Sequence, residues 1–130
     1  MEPRHKTIAP DTNVLVGIAK TKIDVLEEAK KEFGGQTEFV VPEQVIWEID
    51  SLAKKGKTMK KSCEIARKII ETHGVKTAKT SAKNADSALL ELAKNGTIVM
   101  TSDRELKRRI KKALGEIIEL SKGHIKKIDS

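Results

Sequence analysis

The sequence predicts an α/β protein: a three-layer α/β/α sandwich built on a mainly parallel, five-stranded sheet. Three observations carry this. Short apolar or β-branched runs recur along the chain, segments with helical spacing separate them, and 130 residues suffice for about one hydrophobic core. Strands separated by helices cannot close hairpins, so right-handed crossovers lay them side by side in parallel and cover both faces. One domain over 1–130 follows, with no internal repeat and no Pro/Gly/Ser-rich linker.

The elements follow in order. Lys6–Ala9 reads as the first strand, then Asn13 to about Lys20 and Asp24–Phe33 as helices. Glu38–Val41 is the second strand. Pro42 opens the third helix, Pro42–Lys54, because its fixed φ and missing N–H suit a first turn. Met59–His73 is the fourth helix, and Val75–Thr77 the third strand. Asn84 caps a fifth helix running to Asn95. Thr97–Thr101 is apolar on successive positions, the pattern of a strand buried on both faces, which puts it mid-sheet. Ser102-Asp103-Arg104-Glu105 reads as a capping box for the sixth helix, Asp103–Leu114, and Gly96 and Gly115 sit where helices stop. Glu116–Leu120 is the fifth strand. Beyond it, Ser121–His124 and Ile125–Ile128 offer a hairpin return that extends the sheet edge.

Composition narrows the function. Lysine and arginine number 26 against 19 acids, a net charge of +7 that favours a polyanionic partner. No apolar run is long enough to span a bilayer, and Met1–Asn13 lacks a secretory leader's apolar stretch. The only cysteine, Cys63, cannot form an internal disulfide, so a reduced, cytoplasmic setting is expected. One Cys and three scattered His match no zinc spacing. One Trp, two Phe and no Tyr leave little for base stacking, so nucleic-acid affinity must rest on charge.

Ligands of open parallel sheets gather at the carboxyl ends of strands. Acids occupy that region here: Asp11 after the first strand, Asp103 after the fourth, Asp86 in the first turn after Asn84, and Glu48 nearly two turns into the third helix. Each has a plain structural reading. Asp86 and Asp103 complement a helix dipole, Asp11 serves as an N-cap, and Glu48 is a solvated helix residue. Glu48 and Asp50 flank the Val45, Ile49, Leu52 stripe on opposite sides, and spacing leaves open which faces inward. Carboxylates at both central strand ends of so basic a chain favour a joint function over independent caps.

In these motifs the sequence resembles the PIN-domain ribonucleases. Ile8-Ala9-Pro10-Asp11-Thr12-Asn13-Val14-Leu15 is similar to the family's opening D-T-N motif, and Val41-Pro42 through Glu48 to its proline-led helix with an acid. Asn84-Ala85-Asp86-Ser87-Ala88-Leu89-Leu90 resembles the third motif and Thr101-Ser102-Asp103-Arg104-Glu105-Leu106 the fourth. The basic run after Asp103 and the Ile117-Ile118 strand look closest to archaeal PIN proteins akin to ribosomal-RNA-processing endonucleases, with toxin–antitoxin PIN ribonucleases second.

The resemblance implies an endoribonuclease that uses one or two Mg²⁺ or Mn²⁺ ions and leaves a 3′-hydroxyl and a 5′-phosphate. Asp11, Glu48, Asp86 and Asp103 form its acidic centre. Hard divalent ions prefer carboxylate oxygens, which agrees with that set. Asp11 and Asp103, at rigid strand ends, are the preferred direct ligands, and Glu48 and Asp86 bind through water or orient the nucleophile. Thr12, Asn13 and Ser102 position those carboxylates or a phosphate. Without metal, at least one acid should carry a raised pKa. The expected substrate is single-stranded or locally unpaired RNA, with a second copy of the chain or a protein such as an antitoxin as further partners. A non-catalytic RNA-binding or scaffold module is the alternative from another class, and a receiver or phosphatase using Asp11 as nucleophile a distant third.

For RNA contact, Arg104 beside Asp103 and Lys54, Lys55, Lys57 and Lys60 in a loop after the Glu48 helix are the candidates. The other cations of the sixth helix read as a solvated face around Leu106, Ile110 and Ala113. His73 and Cys63 read as core residues, and Trp47 as a subunit-interface residue first and one flanking the cleft second.

Overall fold

The computed structural model describes residues 5–129. Met1–Arg4, part of the stretch read above for a leader, lies outside them. The order is β1 (Lys6–Pro10), α1 (Thr12–Thr21), α2 (Val25–Phe33), β2 (Thr37–Pro42), α3 (Glu43–Leu52), α4 (Lys57–Thr72), β3 (Lys76–Ala78), α5 (Ala85–Lys94), β4 (Ile98–Met100), α6 (Arg104–Lys112), β5 (Ile117–Ser121) and β6 (His124–Asp129). The strands form one sheet in the order β3-β2-β1-β4-β5-β6. All neighbours are parallel except β5 and β6.

The sheet thus has six described strands, not five, because the hairpin return forms. Lys122 and Gly123, at φ 53° and 84°, supply the two left-handed positions that a tight two-residue hairpin turn requires. β1 and β4 lie at the centre. Ile8 and Ala9 in β1 and Ile98, Val99 and Met100 in β4 are buried on successive positions, so helices cover both faces. α1 packs on α3 and α4, while α5 packs on α6, β4 and β2.

Chain order then fixes where a site can be. From β1 the chain moves outward through β2 to β3, crosses back to β4 beside β1, and continues to β5. The reversal between β1 and β4 is a topological switch point, where the connections leave in opposite directions and open a crevice. The register Pro10↔Met100 levels the two strand ends, and Asp11 and Asp103 follow them.

Two local expectations are corrected. The N-cap of α6 is Asp103, whose Oδ1 accepts from the Leu106 N–H at 2.8 Å, so Ser102 lies outside the helix. Lys57 and Lys60 belong to α4 and not to a loop, because that helix starts two residues earlier than the apolar spacing from Met59 suggests. Gly115 ends its helix for reasons of space. The left-handed residue is Leu114, at φ 62°, whereas a Cβ on Gly115 would lie 2.7 Å from Ile110 Cγ2 and 3.2 Å from Ala93 Cβ. Gly115→Ala should therefore cost about 1–3 kcal/mol of overpacking, read as a lower denaturation midpoint with an unchanged m-value.

His73 and Cys63 are core residues as expected. The His73 side chain is 3% exposed, its Nε2 lies 2.8 Å from Asp24 Oδ2, and its ring meets Phe39 edge-on. Asp24 in turn caps α2 by accepting from the N–H groups of Leu26 and Glu27. The end of α4 is thereby fastened to the start of α2.

Candidate active site

Asp11 is built into the junction of the two central strands. Its N–H donates to Met100 O at 3.0 Å, which carries the β1–β4 pairing one residue further. Its Oδ1 accepts from the Val14 N–H at 3.0 Å and so caps α1. Its Oδ2 accepts from the Thr101 hydroxyl. The same Thr101 oxygen accepts from the Asp103 N–H at 3.0 Å. Fully buried Thr101 therefore ties one acid's carboxylate to the other's backbone.

Sequence reasoning passed over Thr101 and gave this hydroxyl role to Ser102, which is instead exposed and lines an adjoining cleft. The available signal was register. Once Pro10 pairs with Met100, the residue facing Asp11 is Thr101.

Asp11, Glu48, Asp86 and Asp103 line one pocket of about 210 Å³, together with Thr12, Asn13, Ala85 and Leu89. Four separate segments supply the acids. Asn84 caps α5 by accepting from the Ser87 N–H at 2.9 Å, which places Asp86 in the first turn. Buried Gln44 holds the approach to that cap, its amide donating to Thr80 Oγ1 at 3.0 Å and to Ala82 O at 2.8 Å. Gln44 was not singled out from sequence, since its partners lie 36 and 38 residues away. Of the pair left open by helical spacing, Glu48 lines the pocket, whereas Asp50 pairs with Arg67 of α4.

The electrostatics follow from this crowding. Burial pushes the Asp11 carboxyl above its ordinary value, against hydrogen bonds from Thr101 and Val14, and the Asp86 charge adds to the rise. Asp86 is exposed as a residue, yet partial desolvation, then Asp103 and Glu48, raise its pKa, with Arg109 pulling the other way. A cation would relieve both.

The donors suit a hard ion. All are oxygens, four are carboxylates, and the buried Thr12 hydroxyl lining the same pocket has no hydrogen-bond partner among the described residues. Among those residues, no three His, Cys, Asp or Glu side chains are arranged as a ligand shell for a metal ion.

The basic candidates divide. Lys54 and Lys55 lie between α3 and α4, Lys57 and Lys60 at the start of α4, and Arg104 opens α6, all exposed. The structure adds a groove that sequence did not reveal, lined by Lys94, Arg108, Arg109 and Lys112 around Leu90 and Ala113. Lys94 comes from α5, so only the α5–α6 packing brings it opposite the α6 cations. Arg108 is shared with Glu105, to which it donates at 2.5 and 3.1 Å. Trp47, one residue before Glu48, is 56% exposed.

Comparison with protein families matches residues 8–122 to the PIN like domain. The chain belongs to the PIN-like domain family. This PIN-like chain is 33% identical over 109 residues to ribonuclease VapC4 of Methanocaldococcus jannaschii, covering 79% of this chain and 81% of that protein. Its fold is similar to the PIN domain endonuclease Utp24, with a TM-score of 0.74, 22% identity, and 95% and 93% of the two chains covered. It is also similar to VapBC2 from Rickettsia felis, solved bound to a DNA fragment from its promoter, with a TM-score of 0.60, 12% identity, and 88% and 99% covered. No helix among the described residues of this PIN-like chain is long and apolar enough to cross a membrane.

Proposed function

We propose that this PIN-like chain is a Mg²⁺- or Mn²⁺-dependent endoribonuclease acting on single-stranded or locally unpaired RNA in the cytoplasm. The observation that carries the reading is the convergence of Asp11, Glu48, Asp86 and Asp103 on one pocket at the topological switch point. The similarity to ribonuclease VapC4 supports the RNA substrate. The role proposed is ribosomal-RNA processing. A second reading, the toxin of a toxin–antitoxin pair with an antitoxin as protein partner, draws on the same similarity and on the fold shared with VapBC2. A homodimer is proposed on the exposure of Trp47.

Asp11 and Asp103 would hold the metal directly, and Glu48 and Asp86 would hold it through water or orient the nucleophile. When bound there, one or two ions would supply a charge that polarises the phosphate, acidifies water and stabilises the leaving oxygen. The Thr101 hydroxyl keeps Asp11 in one orientation, and Thr12 and Asn13 offer a hydroxyl and an amide to a bound phosphate. Arg104, Lys54, Lys55, Lys57 and Lys60 meet flanking phosphates, and the α5–α6 groove extends that basic surface. Attack by water on phosphorus expels the 3′-oxygen and leaves a 3′-hydroxyl and a 5′-phosphate.

The test compares labelled RNA cleavage with Mn²⁺ by the wild type, Glu48→Gln and Asp50→Asn at equal folded concentration. Glu48→Gln should lower the rate by about 10–100-fold. Asp50→Asn, which loses only an exposed ion pair, should cleave like the wild type. No cleavage with either metal, or equal rates for all three proteins, overturns the reading.

A further inference from the structure

Gly17 stands in the middle of α1, where glycine destabilises a helix relative to alanine. Nothing in the fold asks for it. Its φ is not in the left-handed region, and a Cβ built there meets no atom within 4 Å. The space it leaves belongs to a cleft of about 300 Å³, largely apolar, walled by Val14, Ile18 and Thr21 from the same helix face and by Leu120 and the β5–β6 hairpin. Gly123 holds that hairpin close, since a Cβ on it would lie 2.8 Å from Thr21 Cγ2. Asn13 and Asp103 line both this cleft and the acidic pocket, so the two adjoin.

We infer that the cleft receives one nucleobase of the RNA, next to the scissile phosphate, and that the missing side chain at Gly17 admits it. The inference rests on the ribonuclease reading. An apolar slot of this volume is at the lower end for small-ligand sites, roughly 300–1,000 Å³. It gives a base somewhere to lie in a chain with no tyrosine and one tryptophan, where stacking platforms are scarce. The polar groups fit as well. Asn13 and Ser102 offer hydrogen bonds to a base edge, and Lys122 lies on the rim within reach of an entering backbone. Asn13 thus separates into two uses, phosphate on one side and base on the other.

The experiment measures cleavage of a short RNA with Mn²⁺, and of the same RNA made abasic at each nucleotide flanking the cut. With the wild type, one abasic position should lower kcat/KM by about tenfold or more, and the others should do little. Gly17→Leu, filling the slot, should lose as much on the intact RNA and lose nothing further on that abasic RNA. Gly17→Ala should melt no lower than the wild type, because its Cβ points into open space. Abasic substrates cleaved as fast as intact RNA by the wild type overturn the inference without any variant. So does Gly17→Leu acting like the wild type, the result expected if the slot serves a protein instead. Both leave the ribonuclease reading standing, whereas failure of the wild type to cleave any RNA removes both.

Discussion

Asp11→Asn and Asp103→Asn should each lower RNA cleavage by at least about 100-fold while remaining folded. Outer partners of metal ligands cost about 10–100-fold when lost, so a direct ligand costs at least the upper figure. Both variants keep a helix N-cap, since asparagine caps as well as aspartate, although at position 11 the amide cannot also accept from the Thr101 hydroxyl. Alanine at either position would confound the result by removing a cap, at about 1 kcal/mol. Thr101→Val extends the test. It keeps the buried shape but removes the donor to Asp11 and the acceptor for the Asp103 N–H. Activity should fall with the metal affinity, and an unchanged Mn²⁺ affinity would show that Thr101 does not position the ligand. Cleavage that survives in both aspartate variants would place the chemistry elsewhere.

The second large effect is a reversal of sign between stability and activity. Burial holds the pKa values of Asp11 and Asp86 in the folded state above the ordinary carboxyl range. Between the unfolded and folded pKa values the folded chain binds more protons, so each group costs stability as pH rises through that window. The whole cost is present above the folded pKa, and none below the unfolded one. Metal-free Asp86→Asn should therefore melt higher than the wild type near neutral pH, with the gap closing as pH falls towards 4 and below. Mn²⁺ should raise the wild-type Tm on the order of 10 °C at a hundredfold excess over Kd, and release protons as it binds. The variant should gain less from the ion and cleave more slowly. Scanning calorimetry at several pH values, with and without Mn²⁺, reads both halves. A variant no more stable than the wild type in the absence of metal would mean that the acids do not repel as described.

Much of this was legible because two periodicities and a set of turn residues agree. The successive apolar residues Ile98, Val99 and Met100 within Thr97–Thr101 announced a central strand, and it pairs with β1 in the middle of the sheet. Acids following the two central strands announced the pocket. Spacing along one helix did not separate Glu48 from Asp50, because the partner that engages Asp50, Arg67, sits on another helix. Ser102 was preferred over Thr101 because adjacency in sequence says nothing about which hydroxyl faces a neighbouring strand. The groove between α5 and α6 was invisible for a similar reason: the five cations after Arg104 on one helix read as a wet surface until Lys94 arrives across from them. What sequence missed is long-range pairing, from Gln44 to Thr80 and from Asp11 to Thr101.

The bond between Asp11 and Thr101 joins positions 90 residues apart, and β1 borders β4 along one of its edges. During synthesis the first acid therefore emerges long before the strand that steadies it. A growing chain would carry the early pieces of the proposed cutting centre yet stay latent until β4 has been translated.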